Sequence, residues 1–228
     1  MNKLNTMLTA TGAMLMLLVT SANSIEFKVG ASINGLAGYG NAEQTIKDSG
    51  RITNDESVIA ANYGSVFVET SGDEMMGLGI GVSYAPTVID LPKETRVIQN
   101  TSGDSGNDTG TQQIDGDITD YLSVYLTLPI GDGGAFVKGG YHQATLETKE
   151  NLATGSKYEN VDLTGTFIGG GYEADLGDMM FWRAEGNVQF WDDITVHGSE
   201  AGGGSPAKNK IVAELGAVNG ALSIGMKF

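Results

Sequence analysis

The 228-residue chain has no cysteine, only four prolines and two histidines, and 13 basic residues against 28 acidic ones. Without cysteine there is no disulfide framework and no lipidated N-terminal cysteine, so stability has to come from hydrogen bonds and packing. A net charge of −15 argues against nucleic acid as a partner and against docking on an anionic surface through a basic patch. It does not argue against a protein embedded in a membrane. Also missing is any apolar run of the ~20 residues that a membrane-spanning helix needs.

What is present begins with residues 7–20, an apolar run preceded by Lys3 and followed by the small residues Ala22-Asn23-Ser24. This order of charge, apolar stretch and small residues reads as a secretory signal over 1–24, too short for a transmembrane anchor. The remainder, 25–228, has room for one domain.

After the signal, apolar residues recur at every second position rather than at helical spacing. Eight alternating runs can be placed, at about 25–41, 58–70, 75–88, 119–130, 135–147, 160–174, 179–192 and 210–228. Their connections alternate in length. Ser71-Gly72-Asp73-Glu74, Gly131-Asp132-Gly133-Gly134 and Asp175-Leu176-Gly177-Asp178 have the Gly/Asp chemistry of tight hairpins. The other connections, at 42–57, 89–118, 148–159 and 193–209, are long and polar. Short turns at one end and long loops at the other point to an all-β fold, an eight-stranded antiparallel up-and-down transmembrane β-barrel with its short turns periplasmic.

Register can be read as well as strand number. Pairing Leu128 with Leu78 sets Leu126 beside Ile80, Val124 beside Val82 and Leu122 beside Tyr84 on the outer face. On the inner face the same register places Tyr125 against Gly81 and Thr127 against Gly79, where glycine makes room for a ring in a narrow barrel. In 180–190, Met180, Trp182, Ala184, Gly186, Val188 and Phe190 alternate with Arg183, Glu185, Asn187 and Gln189. A slip of one residue would move Arg183 into lipid, at about 2–4 kcal/mol near the midplane.

A soluble lipocalin-like barrel would also alternate, with its apolar face inside. Three features favour the membrane barrel. Aromatic residues sit near strand ends on the apolar face as an interfacial girdle (Phe27, Tyr39, Tyr84, Tyr141, Trp182, Phe190), small residues crowd the polar face, and the chain closes on an apolar face ending in Leu222, Ile224, Met226 and Phe228. Glu214 falls on the apolar side of the last run and needs a bulge or the membrane rim.

The stretch Gly169-Gly170-Gly171-Tyr172-Glu173-Ala174-Asp175-Leu176-Gly177-Asp178, with Trp182-Arg183-Ala184-Glu185 and the closing Gly225-Met226-Lys227-Phe228, resembles the small outer-membrane β-barrel domain family of OmpA/OmpX-type and opacity-like surface proteins. The resemblance covers about 165–228. It implies a Gram-negative outer membrane, contact with its lipids and lipopolysaccharide, and insertion by the barrel-assembly machinery, with Phe228 in the recognition signal. It brings no shared catalytic residues.

The chemistry-bearing residues fall into three sets. Glu26, Lys28, Tyr121, Tyr125, Lys138, His142, Arg183, Glu185, Asn187, Gln189 and Lys227 are expected to point inward as a polar network, with Lys138 or Arg183 paired to Glu185. Charges in a narrow lumen need partners, so this set reads as a structural plug before it reads as an ion path. His197-Gly198-Ser199-Glu200 is similar to the His-x-Ser of lipid A 3-O-deacylases, but Glu200 stands where those enzymes have Asn, and no base or orienting group is evident. The acidic stretch 100–120 (Asp104, Asp108, Asp115, Asp117, Asp120) lacks the ligand spacing of a high-affinity calcium loop and reads as a solvated loop. No catalytic residue, metal or cofactor is assigned. The expected role is a monomeric scaffold or surface-interaction protein acting through its long extracellular loops toward some outside ligand. A narrow porin-like channel is the alternative, and a lipid A-modifying enzyme the third.

Overall fold

The computed structural model describes residues 25–46, 51–72, 77–91, 94–98, 110–114, 116–149, 159–197 and 210–228; the expected signal lies outside them. The strands are β1 (Ile25–Ile46), β2 (Arg51–Gly72), β3 (Gly79–Tyr84), β4 (Ile89–Asp90), β5 (Glu94–Ile98) and β6 (Gly110–Ile114). They continue with β7 (Gly116–Ile130), β8 (Ala135–Thr148), β9 (Val161–Asp175), β10 (Met180–Trp191), β11 (Ile194–His197) and β12 (Lys210–Lys227).

Eight of them pair antiparallel in the order β1-β2-β3-β7-β8-β9-β10-β12, and β12 returns to β1 to close the ring. β4 prolongs the line of β3 along β7, and β11 that of β10 along β12, while β5 and β6 form a separate hairpin. Closure gives every strand of the ring a neighbour on both sides, as a sheet needs in order to cross a bilayer with its backbone groups satisfied.

The side chains are arranged inside out relative to a soluble barrel. Ile33, Ile168, Leu222 and Ile224 are 70%, 63%, 58% and 51% exposed on the outer wall, while Arg183 and Glu69 are buried within. Water would penalise that outer surface and acyl chains would not, so the architecture is that of a transmembrane β-barrel.

The predicted register between β3 and β7 is found: Ile80 faces Leu126, Val82 faces Val124, Tyr84 faces Leu122, and Tyr125 and Thr127 stand opposite Gly81 and Gly79. A Cβ on Gly81 would overlap the Tyr125 ring. Leu78 falls just before the first paired residue of β3. Leu122, expected against lipid, is instead buried. It adjoins an irregularity in β7, between Thr119 and Leu122, where Asp120 takes a left-handed φ of 53°. This bulge lets Ile118 and Tyr121, three apart, both enter the same interior cluster.

Several connections differ from expectation. The stretch 42–57 is strand on both sides of residues 47–50, with β1 paired to β2 up to Ile46 and to β12 up to Thr45. Its polar residues carry no alternation signal, yet the β1–β2 ladder, joined on the β1 side by the β1–β12 ladder, holds the backbone extended. The run at 75–88 shortens to β3, because Pro86 has no N–H for a ladder and Ala85 donates its own to the Tyr121 carbonyl at 2.9 Å. In the long connection 89–118, β4, β5 and β6 form, and Asp117 and Asp120 belong to β7. Asp104, Asp108 and Asp115 lie outside the described residues. The tight turn at 131–134 is as expected, with Gly131 and Gly134 at φ 62° and 82°.

The interior has two layers rather than one polar filling. Next to the short turns lie the ions; toward the long loops Leu36, Ala61, Ile89, Ile118, Leu163 and Ala217 pack with Tyr63 and Tyr121 as an apolar core.

Candidate functional site

The ionic layer is built from strands far apart in sequence. Arg183 on β10 sits in the middle, with its guanidinium forked onto both oxygens of Glu69 on β2 at 2.9 Å each. Its other edge donates to Glu173 on β9, from Nε at 2.9 Å and Nη2 at 2.5 Å. Lys28 on β1 reaches Glu173 at 2.6 Å and Glu26 at 3.2 Å. Lys138 on β8 pairs with Glu185 at 2.8 Å and lies 3.9 Å from the centre of the Tyr125 ring. Arg183 is further walled by the rings of Phe136, Phe67 and Phe181, at 5.0, 5.2 and 5.6 Å. Burial of this kind is tolerable only because each charge has a partner of opposite sign and good geometry.

Of the two pairings expected for Glu185, Lys138 makes one and Arg183 does not, since Arg183 belongs to Glu69 and Glu173. Those two acids were absent from the predicted inward set. The signal for them was present: the set had Lys28, Lys138, Arg183 and Lys227 against only Glu26 and Glu185, an imbalance that a narrow lumen does not permit. Glu69 also alternates with the outward Val66 and Val68. Lys227 lies at the mouth, bonded to the exposed Asp175 at 2.6 Å.

Where the ionic layer meets the apolar core, neutral polar side chains pair with one another. Ser32 and Ser223 share a hydrogen bond at 2.8 Å, Asn34 donates to Ser65 at 2.9 Å, and the Tyr63 hydroxyl donates to Asn219 at 3.3 Å. Gln189 donates to the Tyr121 hydroxyl at 3.0 Å and to Asn187 at 3.2 Å. His142 is fully buried, stacked on Trp191 with centroids 3.9 Å apart, and its Nδ1 lies 3.3 Å from the Tyr121 hydroxyl. The expected inward residues Tyr121, His142, Asn187 and Gln189 are thus brought together around an aromatic stack, while Tyr125 points inward in the ionic layer beside Lys138.

The outward aromatic residues are placed as follows. Tyr39, Phe190, Tyr141 and Trp182 are 63%, 54%, 40% and 37% exposed, while Phe27 and Tyr84 are half-buried. Tyr39 and Phe190 flank Gly216 from the two sides of β12. Leu222, Ile224, Met226 and Phe228 are all exposed on one wall, and Phe228 exchanges backbone hydrogen bonds with Phe27 at 2.9 and 3.1 Å. Glu214 is exposed opposite Asn41, beyond the Tyr39–Gly216 pair. On the loop side, Asp117 is buried and ion-paired with Lys149. His197 is exposed on β11 opposite Lys210, and Ser199 and Glu200 lie outside the described residues.

No protein-family model matches the chain, and no curated protein matches it in sequence. Among solved structures it is similar to the outer membrane protein OprG from Pseudomonas aeruginosa, at 13% identity over 90% of this chain and 96% of that one, with a TM-score of 0.49. The outer membrane protease OmpT from Escherichia coli is 9% identical over 92% of this chain and 99% of that one, with a TM-score of 0.46. Ail, the attachment invasion locus protein of Yersinia pestis, is 13% identical over 87% and 98% of the two chains, with a TM-score of 0.35. No residue role passes from any of them to this chain.

Proposed function

We propose that the chain is an outer-membrane barrel of a Gram-negative bacterium, exported by its signal segment, that serves as a scaffold and presents its loop-side strands for contact outside the cell. The observation that carries this reading is the inside-out ring: apolar residues on the outer wall, and an interior crossed by a layer of paired ions and, toward the loops, by an apolar core. An occupied interior favours a scaffold over a channel. On the loop side, β1 and β2 stay paired past Tyr39 and present Asn41, Glu43 and Glu56 to solvent, a strand-built surface for binding. Lipopolysaccharide and outer-membrane lipids are its surroundings, and the apolar terminal strand would be read by the assembly machinery. Two measurements test the proposal. Fractionation should recover the processed protein in the outer membrane with heat-modifiable migration, and planar-bilayer recording should show no stable open level. Recovery in soluble periplasmic extract would overturn the location, and a porin-sized conductance would overturn the scaffold.

A further inference from the structure

We infer that the interior is a hydrated dead end: water enters from the short-turn mouth as far as the Gln189 level, and the seal is the aromatic and apolar layer above it, not the salt bridges. A cavity of about 390 Å³ opens beside the turn at 131–134 and reaches down to Lys28, Glu173 and Arg183. Across Arg183 lies a second, central cavity of about 30 Å³, also lined by Arg183 together with Ser123, Glu185, Gln189 and Asn219. That volume is enough for ordered water.

The chemistry of the central cavity identifies its occupant. Glu185 and Gln189 both line it, and the buried Glu185 Oε2 and Gln189 Oε1 have no hydrogen-bond partner among the described residues. Gln189 is only 2% exposed, so an unfilled acceptor there carries the full cost of desolvation. Both orphans are acceptors and call for a donor. A metal cation would meet Lys138 and Arg183 in the same wall; water donates without adding charge. Beyond Gln189 the character changes: Ile89, Ala144, Leu163 and Ala217 are each at most 4% exposed and give passing water nothing to bond to. The polar atom at this level, the unpartnered Nε2 of the fully buried His142, sits on a ring stacked against Trp191. Salt bridges therefore line the wet part of the interior, while hydrophobic packing closes it.

Water-edited solid-state NMR on the refolded, full-length mature chain in lipid bilayers tests this. Magnetisation from mobile water should reach Thr127 in the vestibule and Ser123 and Gln189 in the central cavity, and should be absent at Ala144 and Ala217. A signal from Ser123 and Gln189 as dry as that from Ala144 would show an empty chamber. Transfer to Ala144 and Ala217 equal to that at Thr127 would show that there is no seal. Ser123→Val, which fills the chamber, should abolish transfer to Gln189 while heat-modifiable migration persists; unchanged transfer would overturn the assignment of the chamber as the route. These readouts do not depend on where cells place the protein or on what its loops bind.

Discussion

Arg183 is the residue on which most of the interior's electrostatics converge. Replacing it with methionine keeps much of the volume but leaves Glu69 and Glu173 without their forked partner, and Glu69 is 2% exposed. Removing one member of such a buried set costs about 3–5 kcal/mol. Arg183→Met should therefore lower the urea midpoint of the lipid-reconstituted barrel strongly, read from the emission of the lipid-facing Trp182. Arg183→Lys should recover only part of the loss, because an ammonium cannot hold two carboxylates through a planar fork. A midpoint for Arg183→Met within error of wild type would show the ionic layer to be energetically idle. Gly81 offers a steric counterpart: Gly81→Val overlaps the Tyr125 ring and should cost about 1–3 kcal/mol. Adding Tyr125→Ala should return part of that cost, a non-additivity that unfolding of the four members of the cycle measures.

At the scale of the element, depth along a strand decides what a charge costs. Leu222 lies on the exposed wall of β12, flanked by Ile33 and Ala184 across its two ladders. Leu222→Arg should destabilise by about 2–4 kcal/mol, whereas Asn41→Arg, two residues beyond Tyr39, should cost at most about 1 kcal/mol. Equal costs at both sites would place the bilayer elsewhere on the wall. Strand positions were legible in the sequence because a half-buried strand writes its two faces into alternate residues, as in Met180 to Phe190. The upper parts of β1 and β2 were not legible, since their outward residues Asn41, Glu43, Asn54 and Glu56 are themselves polar and no contrast in polarity marks the strand. The bulge at Asp120 was hidden for a related reason. One extra residue in β7 leaves composition and turn chemistry unchanged, and only the neighbouring β8 ladder reveals the shift.

At the scale of the whole molecule, the closed ring and its two interior layers predict how passage would be opened. The combined Tyr121→Ala and Trp191→Ala variant removes two rings from the stack that includes His142. It should raise the frequency of open events in planar bilayers above the wild-type baseline. Neutralising the exposed mouth pair with Lys227→Gln and Asp175→Asn should not. If the mouth variant opened the barrel and the aromatic variant did not, the closure would have to be moved to the ionic end.

The sequence by itself determined the class of fold, the eight strands of the ring, the outward face of residues such as Ile224, Trp182 and Val188, and the β3–β7 register, though not the burial of Leu122, because period-2 alternation and turn chemistry are local and act within a few residues. Closure decided which charges meet. Arg183 and Glu69 are 114 residues apart, and what joins them is the stagger accumulated around eight strands, a property no single strand contains. The division of the interior into an ionic end and an apolar end belongs to that same level. β1, β2, β8 and β9 each contribute inward residues to both layers (Lys28 and Leu36, Glu69 and Ala61, Lys138 and Ala144, Glu173 and Leu163), and their relative heights in the assembled ring separate the residues that pair as ions from those that pack as a seal.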